Sequence, residues 1–346
     1  MDTALSQERS LGFASHMRRF PGPALTLCVL APVIAEVLSG ATRVSYLVAL
    51  LPEIMVWGCG ALLARELALR WRAGWSSLLL LGLALAVAEE FIIQQTSIAP
   101  LPWIGLAPAY GRLWGVNWIY LLYMLGYESV WVVLIPVQLT RLLYRDRREQ
   151  PWIGKRGMFI SGITFLLGSY VAWFAWTQQA RTVVFHAAKY TPPPGLIAAG
   201  LVAIALLVVA AWACRNADAS RVIRRAPRPW QIAVGVFTLG LPWWTLIALI
   251  FIPNVLVPPP IAFAGGVLWG AFACALLRRW SSGAGWSDLH RWSAVFAGIL
   301  VCMTGGFAGS STWPPIDLAG KVAANAIAVV CLIALARKLR ASSPAL

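Results

Sequence analysis

The stretch WSSLLLLGLALAVAEEFIIQQTS, residues 75–97, establishes the class of this chain and also contains an anomaly. From Trp75 to Ala88 it has no charged side chain, and leucine and alanine dominate, as in a helix that crosses the roughly 30 Å hydrocarbon core of a bilayer. Two adjacent acids, Glu89 and Glu90, then follow within the same segment. Because an unpaired charge at membrane depth costs several kcal/mol, the pair requires an explanation.

The rest of the chain has the same apolar character. Apolar residues make up 60% of the 346 residues and charged residues only 12%, which is about half the charged fraction of a soluble protein. Apolar runs long enough to cross a bilayer recur along the chain. We therefore predict an all-α, polytopic transmembrane helical bundle of about ten spans. The predicted spans are 22–40, 44–68, 75–98, 117–144, 158–177, 195–214, 230–252, 261–279, 292–309 and 319–337.

The basic residues predict the orientation of these spans. The net charge is +15, but the basic residues flank apolar runs, which favours a role in membrane orientation over nucleic-acid binding. With a cytoplasmic N-terminus, 23 of the 28 Lys and Arg residues lie in inner segments. We therefore predict that both termini are cytoplasmic and that no nucleic acid is bound. The outer basic residues are Arg43, Arg112, Arg181, Lys189 and Lys321.

Composition also bears on compartment and cofactors. Arg outnumbers Lys, and Ala and Trp are abundant, which is typical of GC-rich bacterial genomes and predicts the bacterial cytoplasmic (inner) membrane. The six cysteines lie in or at the ends of apolar runs without CxxC spacing, so we predict no disulfide, no metal and no cofactor. No HExxH, GxSxG or Walker A motif is present. The inner loops are too short for a nucleotide-binding domain, which excludes ATP-driven transport by this chain alone.

Acidic residues inside the predicted spans are confined to the first four helices. These five are Glu36, Glu53, Glu89, Glu90 and Glu128. At a rise of 1.5 Å per residue they lie roughly 6–16 Å from the outer helix ends, so all fall in the outer half of the bilayer. If helices 1 to 4 bundle together, the acids can share one polar cavity. We therefore divide the chain into 1–150, which carries the carboxylates, and 151–346, an apolar supporting half.

The geometry of a helix separates the two acids of the pair. Adjacent positions are about 100° apart, so Glu89 and Glu90 cannot point the same way. Glu90 shares a face with Gln94, and Glu89 shares a face with Thr96. One acid is expected to line the cavity and the other to bond a neighbouring helix, with at least one of them protonated at pH 7. The alternative is that each acid is a neutral, hydrogen-bonded contact between helices.

Other polar residues extend the candidate site. Lys321 shares a helical face with Asn325 and is expected to reach the outer cavity as a counter-charge, the alternative being a lysine that snorkels to the interface. Pro32 and Pro136 interrupt helices 1 and 4, and such kinks often line cavities. The candidate catalytic residues are Glu89, Glu90 and Glu128. The candidate cavity-lining residues are Glu36, Glu53, Gln94, Asn117 and Lys321.

The segment from Glu89 to Gln94 reads EExxxQ, which resembles the EExxxR first motif of the CPBP family, the CAAX-protease and bacteriocin-processing intramembrane proteases. The resemblance implies that Glu89 activates a water molecule and that Glu90 supports it. The family's later motifs, FxxxH and HxxxN or HxxxD, are absent, because the three histidines lie outside the predicted spans. They are His16, His186 and His290. The order of AEVLSG, GALLARE, AEEF and ESVWVVLIPVQL is also similar to that of uncharacterised multi-pass proteins of GC-rich bacteria.

Two functions from different classes remain open. The first, slightly favoured, is a CPBP-like protein by descent, which either retains chemistry or acts as a binding partner. The second is a proton- or cation-coupled transporter or permease. The missing histidines weigh against a working metalloprotease, and the lack of an internal repeat weighs against a transporter built from inverted repeats. Beyond the lipid bilayer itself, either protein would take a small-molecule, lipid or membrane-peptide ligand.

Overall fold

A computed structural model describes residues 22–100, 110–217, 225–251 and 255–341 of the chain. These ranges contain ten long helical segments, each of which overlaps one predicted span. A short antiparallel hairpin of two strands precedes the fourth helix. The elements are α1 (Gly22–Val37), α2 (Val44–Arg70), α3 (Trp75–Ile93), β1 (Arg112–Leu113), β2 (Val116–Asn117), α4 (Trp118–Leu143), α5 (Lys155–Val184), α6 (Pro194–Asn216), α7 (Pro229–Phe251), α8 (Pro259–Ser281), α9 (Asp288–Gly305) and α10 (Pro315–Ala341).

Eight of these helices are long and apolar enough to cross a membrane, which supports the predicted multi-pass helical architecture. The other two are α1 and α9. Helix α1 is apolar but shorter than the rest, and α9 begins with the polar residues Asp288, His290 and Arg291. The total of ten spans and the cytoplasmic placement of the termini stay predictions.

Several helix ends differ from those predicted. Helix α3 ends at Ile93 instead of residue 98, because Gln95 adopts a left-handed backbone conformation with φ of 61°. Helix α1 ends three residues early, before Gly40 at φ of 86°, where an added Cβ would collide with the ring of Trp313. Helix α9 begins earlier than predicted, since Ser287 caps its first turn. These turns determine which side chains face the helix ends.

The first five helices each contain a π-helical segment. A π-helical turn is rare and is found frequently at functional sites. Each segment in α1 to α4 contains a membrane glutamate or directly follows one. Pro32 and Pro136 lie beside two of them, where a proline without an N–H group removes a regular helical hydrogen bond. The segments are Val33–Val37, Ile54–Gly58, Glu89–Ile93, Glu128–Leu134 and Phe174–Val184.

The buried core lies mainly among the first four helices and α9. At least half of the apolar stretch of α2, α3 and α4 is buried, whereas α5 to α8 bury little of theirs. Helix α9 adds fully buried side chains, including Val301 and Cys302, and packs against α4 and α1. The predicted division at residue 150 is not tested by this packing, but the acid-bearing helices occupy the most enclosed part of the molecule.

Candidate functional site

Chain direction brings the five glutamates into one half of the bundle, toward the end where α1 and α3 finish. Glu36 lies in the last turn of α1, and Glu89 and Glu90 lie in the last turn of α3. Glu53 and Glu128 lie near the middle of α2 and α4, the helices that start from that same end. The π-helical segment of α4 contacts those of α1 and α2. Carboxylates that are far apart in sequence therefore meet across four helices.

These carboxyl groups form one buried electrostatic group. Glu89, Glu90 and Glu128 are at most 1% exposed, Glu53 is 8% exposed, and Glu36 is half-buried. Glu89 interacts electrostatically with Glu36, Glu53 and Glu90, and Glu128 interacts with Glu36, Glu89 and Glu90. We call these five residues the carboxylate cluster. Their mutual repulsion in a medium of low dielectric opposes the presence of several negative charges at once.

Glu90 is held by the chain that follows its own helix. The hydroxyls of Thr96 and Ser97 donate to Oε2 of Glu90 at 2.7 and 2.6 Å. The left-handed Gln95 reverses the chain after α3 and brings both hydroxyls within reach. The expectation that Thr96 faces Glu89 is wrong, because the regular helix on which it rested ends at Ile93 in a π-helical turn.

Thr42 links the acids of α1 and α2. Its hydroxyl donates to Oε1 of Glu53 at 2.5 Å, and its backbone N–H donates to the carbonyl of Glu36 at 3.1 Å. The turn that carries Thr42 is fixed by Ser39, whose hydroxyl donates to the carbonyl of Glu36 at 3.0 Å. Sequence reasoning missed Thr42, although its place in a very short loop between two acid-bearing helices was an available signal.

Glu89 and Glu128 have fully buried carboxyl groups to which no residue of the described chain donates a hydrogen bond. Neither carboxyl oxygen of either residue has a hydrogen-bond partner among the described residues, and one oxygen each of Glu53 and Glu90 is also unpartnered there. Each buried, unsatisfied polar group costs about 1–3 kcal/mol, so such groups are rare in native proteins. Four such oxygens lie on two neighbouring side chains, Glu89 and Glu128, in the buried part of the described chain.

Lys321 lies at the same end of the bundle but does not form an ion pair with the cluster. Its Nζ donates to the carbonyls of Leu38 and Ser39 at 2.7 and 2.8 Å and lies 4.5 Å from the centroid of the Phe307 ring. It thus satisfies the free carbonyls after α1, where a cation is favourable. Across the described ranges, none of the five glutamates of the carboxylate cluster takes part in an ion pair.

Asn117 positions α4. Its side-chain oxygen accepts from the backbone N–H of Tyr120 at 3.0 Å, which caps the helix. Its backbone N–H donates to the carbonyl of Ser97 at 2.8 Å and so joins α4 to the turn that holds Glu90. Gln94 is half-buried at the end of α3, and its predicted role in lining the cavity stays a prediction.

Asp317 falls just before the predicted tenth span, 319–337, but it lies in the first turn of α10 and is 1% exposed. Its two carboxylate oxygens accept from the backbone N–H and the hydroxyl of Ser45 at 3.0 and 2.9 Å. Helix α10 begins at Pro315, earlier than predicted, because proline fits the first helical turn. Asp317 therefore fastens α10 to the start of α2 beside the carboxylate cluster.

A second face of α4 carries an aromatic ladder. Tyr123, Tyr127 and Trp131 are spaced four residues apart and stack at centroid distances of 5.6 and 5.5 Å, with Trp244 set edge-on against Tyr127 at 5.8 Å. The Tyr127 hydroxyl donates to the carbonyl of Ala35. The ladder joins α4 to α1 next to Glu36 and presents an apolar wall on that side of the cluster.

The described residues contain no group of three His, Cys, Asp or Glu side chains arranged to hold a metal ion. His186 follows α5 and lies outside its helix. His290 was expected in an inner loop, but it lies in the first turn of α9, where its Nδ1 contacts the Ser287 hydroxyl at 2.8 Å. His16 falls outside the described residues. The structure thus gives no histidine to the carboxylate cluster within the described ranges.

Comparisons of this chain with models of protein families, with curated proteins and with solved structures give no match. The likeness to the CPBP family therefore rests on the EExxxQ segment that begins at Glu89.

Proposed function

We propose that this chain is a multi-pass membrane protein in which the carboxylate cluster binds a proton or a cation, as a proton- or cation-coupled transporter or permease does. The observation that carries the proposal is the unpartnered state of Glu89 and Glu128 among the described residues. Two bare carboxylates in a dry interior would cost far more than two neutral acids or two acids that share a cation. The cluster is therefore suited to exchange a proton for a cationic ligand.

The electrostatic surroundings support the same function. Within the described chain the carboxylate cluster has no cationic partner, since Lys321 is bonded to backbone carbonyls. Glu90 and Glu53 are each held by hydroxyl groups, whereas both carboxyl oxygens of Glu89 and of Glu128 are buried without a hydrogen-bond partner in the described chain. The two acids held by hydroxyl groups can maintain the shape of the site while the two acids without partners in the described chain exchange a proton for a cation.

A CPBP-like intramembrane enzyme is the second candidate. It is favoured by one observation, the position of Glu89 beside the anchored Glu90, with lone pairs available to accept a proton from water. Such a base also needs a group that stabilises the developing oxyanion. Neither a metal-binding cluster nor a histidine near the acids is found within the described ranges. This candidate therefore ranks second.

We also propose that the chain lies in a bacterial inner membrane with the carboxylate cluster in the outer half of the bilayer. The asymmetry of the basic residues supports this orientation. Single cysteines placed at Ala188 and Ser311 of a cysteine-free variant should react with an impermeant maleimide from outside intact cells. A cysteine at Ser282 should react only after lysis. Outside labelling of Ser282 would reverse the orientation.

A binding experiment tests the proposed function directly. Purified protein in weakly buffered detergent solution is titrated with sodium, potassium, magnesium or choline chloride while a pH indicator reports proton release. We expect at least one inorganic cation to release protons from the wild type and from Asp146→Asn, in which an exposed inner acid is changed. Glu89→Gln and Glu128→Gln should each abolish the release. No release by any cation, or equal release from all four proteins, would reject the proposal.

A further inference from the structure

A cavity that is separate from the carboxylate cluster lies between α3, α4, α7, α8 and α9. It has a volume of about 680 Å³, and none of the five glutamates lines it. This volume is in the range of ligand pockets. Its walls are largely apolar and include Leu122, Leu125 and Trp243. The cavity has no role in the function proposed above and is large enough to hold a long hydrocarbon chain.

One end of this cavity is basic. Arg141 at the end of α4, Arg278 near the end of α8 and Arg291 at the start of α9 all line it. From Leu122 to Arg141 the wall formed by α4 rises about 28 Å at 1.5 Å per residue. The cavity therefore combines an apolar channel, of a length comparable to the hydrocarbon thickness of a membrane, with a cluster of guanidinium groups at the predicted inner surface.

These arginines retain capacity for an anion. Arg141 is bonded at one nitrogen to Glu149 at 2.6 Å, but its buried Nε has no partner in the part of the chain that the structure describes. Glu149 is 67% exposed, so this ion pair is worth little. Arg291 is paired with Asp288 at 2.8 Å, and it also experiences repulsion from Arg141. Bringing a phosphate between Arg141 and Arg291 would relieve that repulsion.

We propose that this cavity is a binding site for a lipid with an anionic phosphate headgroup, whose hydrocarbon chain fills the apolar channel and whose phosphate contacts Arg141, Arg278 and Arg291. Charge complementarity selects this occupant, because anionic lipids of the inner leaflet are attracted to basic groups at the membrane surface. A second copy of the chain fits less well. A symmetric contact between copies through this face would oppose arginine to arginine.

The test is a lipid-retention measurement by native mass spectrometry. Full-length protein is delipidated in detergent and offered an equimolar mixture of phosphatidylglycerol and phosphatidylcholine with matched acyl chains. The wild type should retain phosphatidylglycerol in about tenfold preference. The double variant Arg141→Gln/Arg291→Gln should lose that preference, whereas Arg156→Gln, which removes an exposed inner charge outside the cavity, should keep it.

Two further measurements keep the outcome decisive if the double variant folds poorly. Ala273→Trp narrows the apolar channel without a change of charge and should reduce retention of both lipids. Added inorganic phosphate should not displace the lipid, since the hydrocarbon chain contributes to binding. Equal retention of the two lipids by the wild type, displacement by free phosphate, or dimers without lipid would each overturn the proposal. Because the carboxylate cluster is untouched, its proton release should be unchanged in these variants.

Discussion

Two regions of this molecule bury glutamates equally deeply but differ in the hydrogen-bond and ion-pair partners of those glutamates. At the end of the bundle away from the carboxylate cluster, Glu66 is fully buried and accepts from the Arg65 guanidinium and from the backbone N–H of Trp152 at 2.9 Å. Arg70 lies 3.5 Å from its second oxygen. At the other end, Glu89 and Glu128 are as deeply buried, and no group in the described chain bonds to them.

The difference is that Glu66 connects parts of the fold, whereas Glu89 and Glu128 make no such connection within the described chain. Arg65 also donates to the carbonyls of Arg148 and Gln150 at 2.9 and 2.8 Å and lies over the Trp152 ring, with 3.7 Å between the guanidinium carbon and the ring centroid. The buried ion pair thus fastens the loop after α4 to α2. The carboxyl groups of Glu89 and Glu128 bond to no loop or helix in the described chain. Burial alone therefore does not assign a role to a membrane carboxylate, but its partners do.

The largest effect on stability is expected at the buried ion pair of Arg65 with Glu66. Arg65→Ala leaves Glu66 buried without its main partner, and breaking such a pair costs about 3–5 kcal/mol. Thermal unfolding in detergent should show a large fall in melting temperature or loss of folded protein. Arg156→Ala, at an exposed position on the same side, is the control and should have little effect. An unchanged melting temperature in Arg65→Ala would remove the contrast between the two regions.

A smaller effect is expected where a hydroxyl holds an acid of the cluster. Thr42→Val keeps the shape of the side chain but removes the hydrogen bond to Glu53, which should lower stability by about 1–3 kcal/mol. Thr182→Val is a matched control, because that hydroxyl bonds only the carbonyl of Gln178 within its own helix among the contacts described. Equal melting temperatures for the two variants would indicate that Thr42 does not anchor the cluster.

The cap of α4 is expected to contribute less again. Asn117→Ala removes the acceptor for the Tyr120 N–H and should destabilise the protein by about 1 kcal/mol. Asn117→Asp retains an acceptor and should restore most of the loss. A fall in melting temperature that Asp does not restore would assign Asn117 a role other than helix capping.

The smallest effect on stability is expected within the unpartnered pair. Glu128→Gln breaks no hydrogen bond or ion pair described in the structure. The free energy of unfolding should therefore change by less than about 0.5 kcal/mol, and the melting temperature should hardly move. Cation-induced proton release should nevertheless be lost. A strong loss of stability in this variant would place Glu128 with Glu66, as an acid required for folding.

The sequence predicted the parts of this structure that depend on local composition. The apolar runs located all ten helices because hydropathy and length are sufficient for that purpose. The meeting of the acids at one end followed from alternating chain direction and from the depth of each residue in its helix. The ion pair of Glu66 with Arg65 is also a local feature, because it joins two residues that are neighbours in sequence.

The sequence did not predict features that depend on tertiary contacts or on irregular backbone. The π-helical segments that follow Ala88 and Tyr127 change which side chains share a helical face. No residue pattern in the sequence predicted these segments. Lys321 reaches the carbonyls of Leu38 and Ser39 across about 280 residues of sequence, a contact that spacing along the chain cannot reveal. The sequence therefore predicted that Lys321 is a counter-charge to the acids. In the structure it instead caps the C-terminal end of α1.

Infrared spectroscopy of the carboxyl groups tests most directly the claim that Glu89 and Glu128 are held for proton exchange. Purified protein at pH 7 should show an absorption band of protonated carboxyl groups, and Glu89→Gln and Glu128→Gln should each reduce it. Asp146→Asn, in which an exposed acid is changed, should leave it unaltered. Addition of the cation that releases protons should diminish the band in the wild type. A spectrum without this band at pH 7, or a band that both glutamine variants retain in full, would contradict the account.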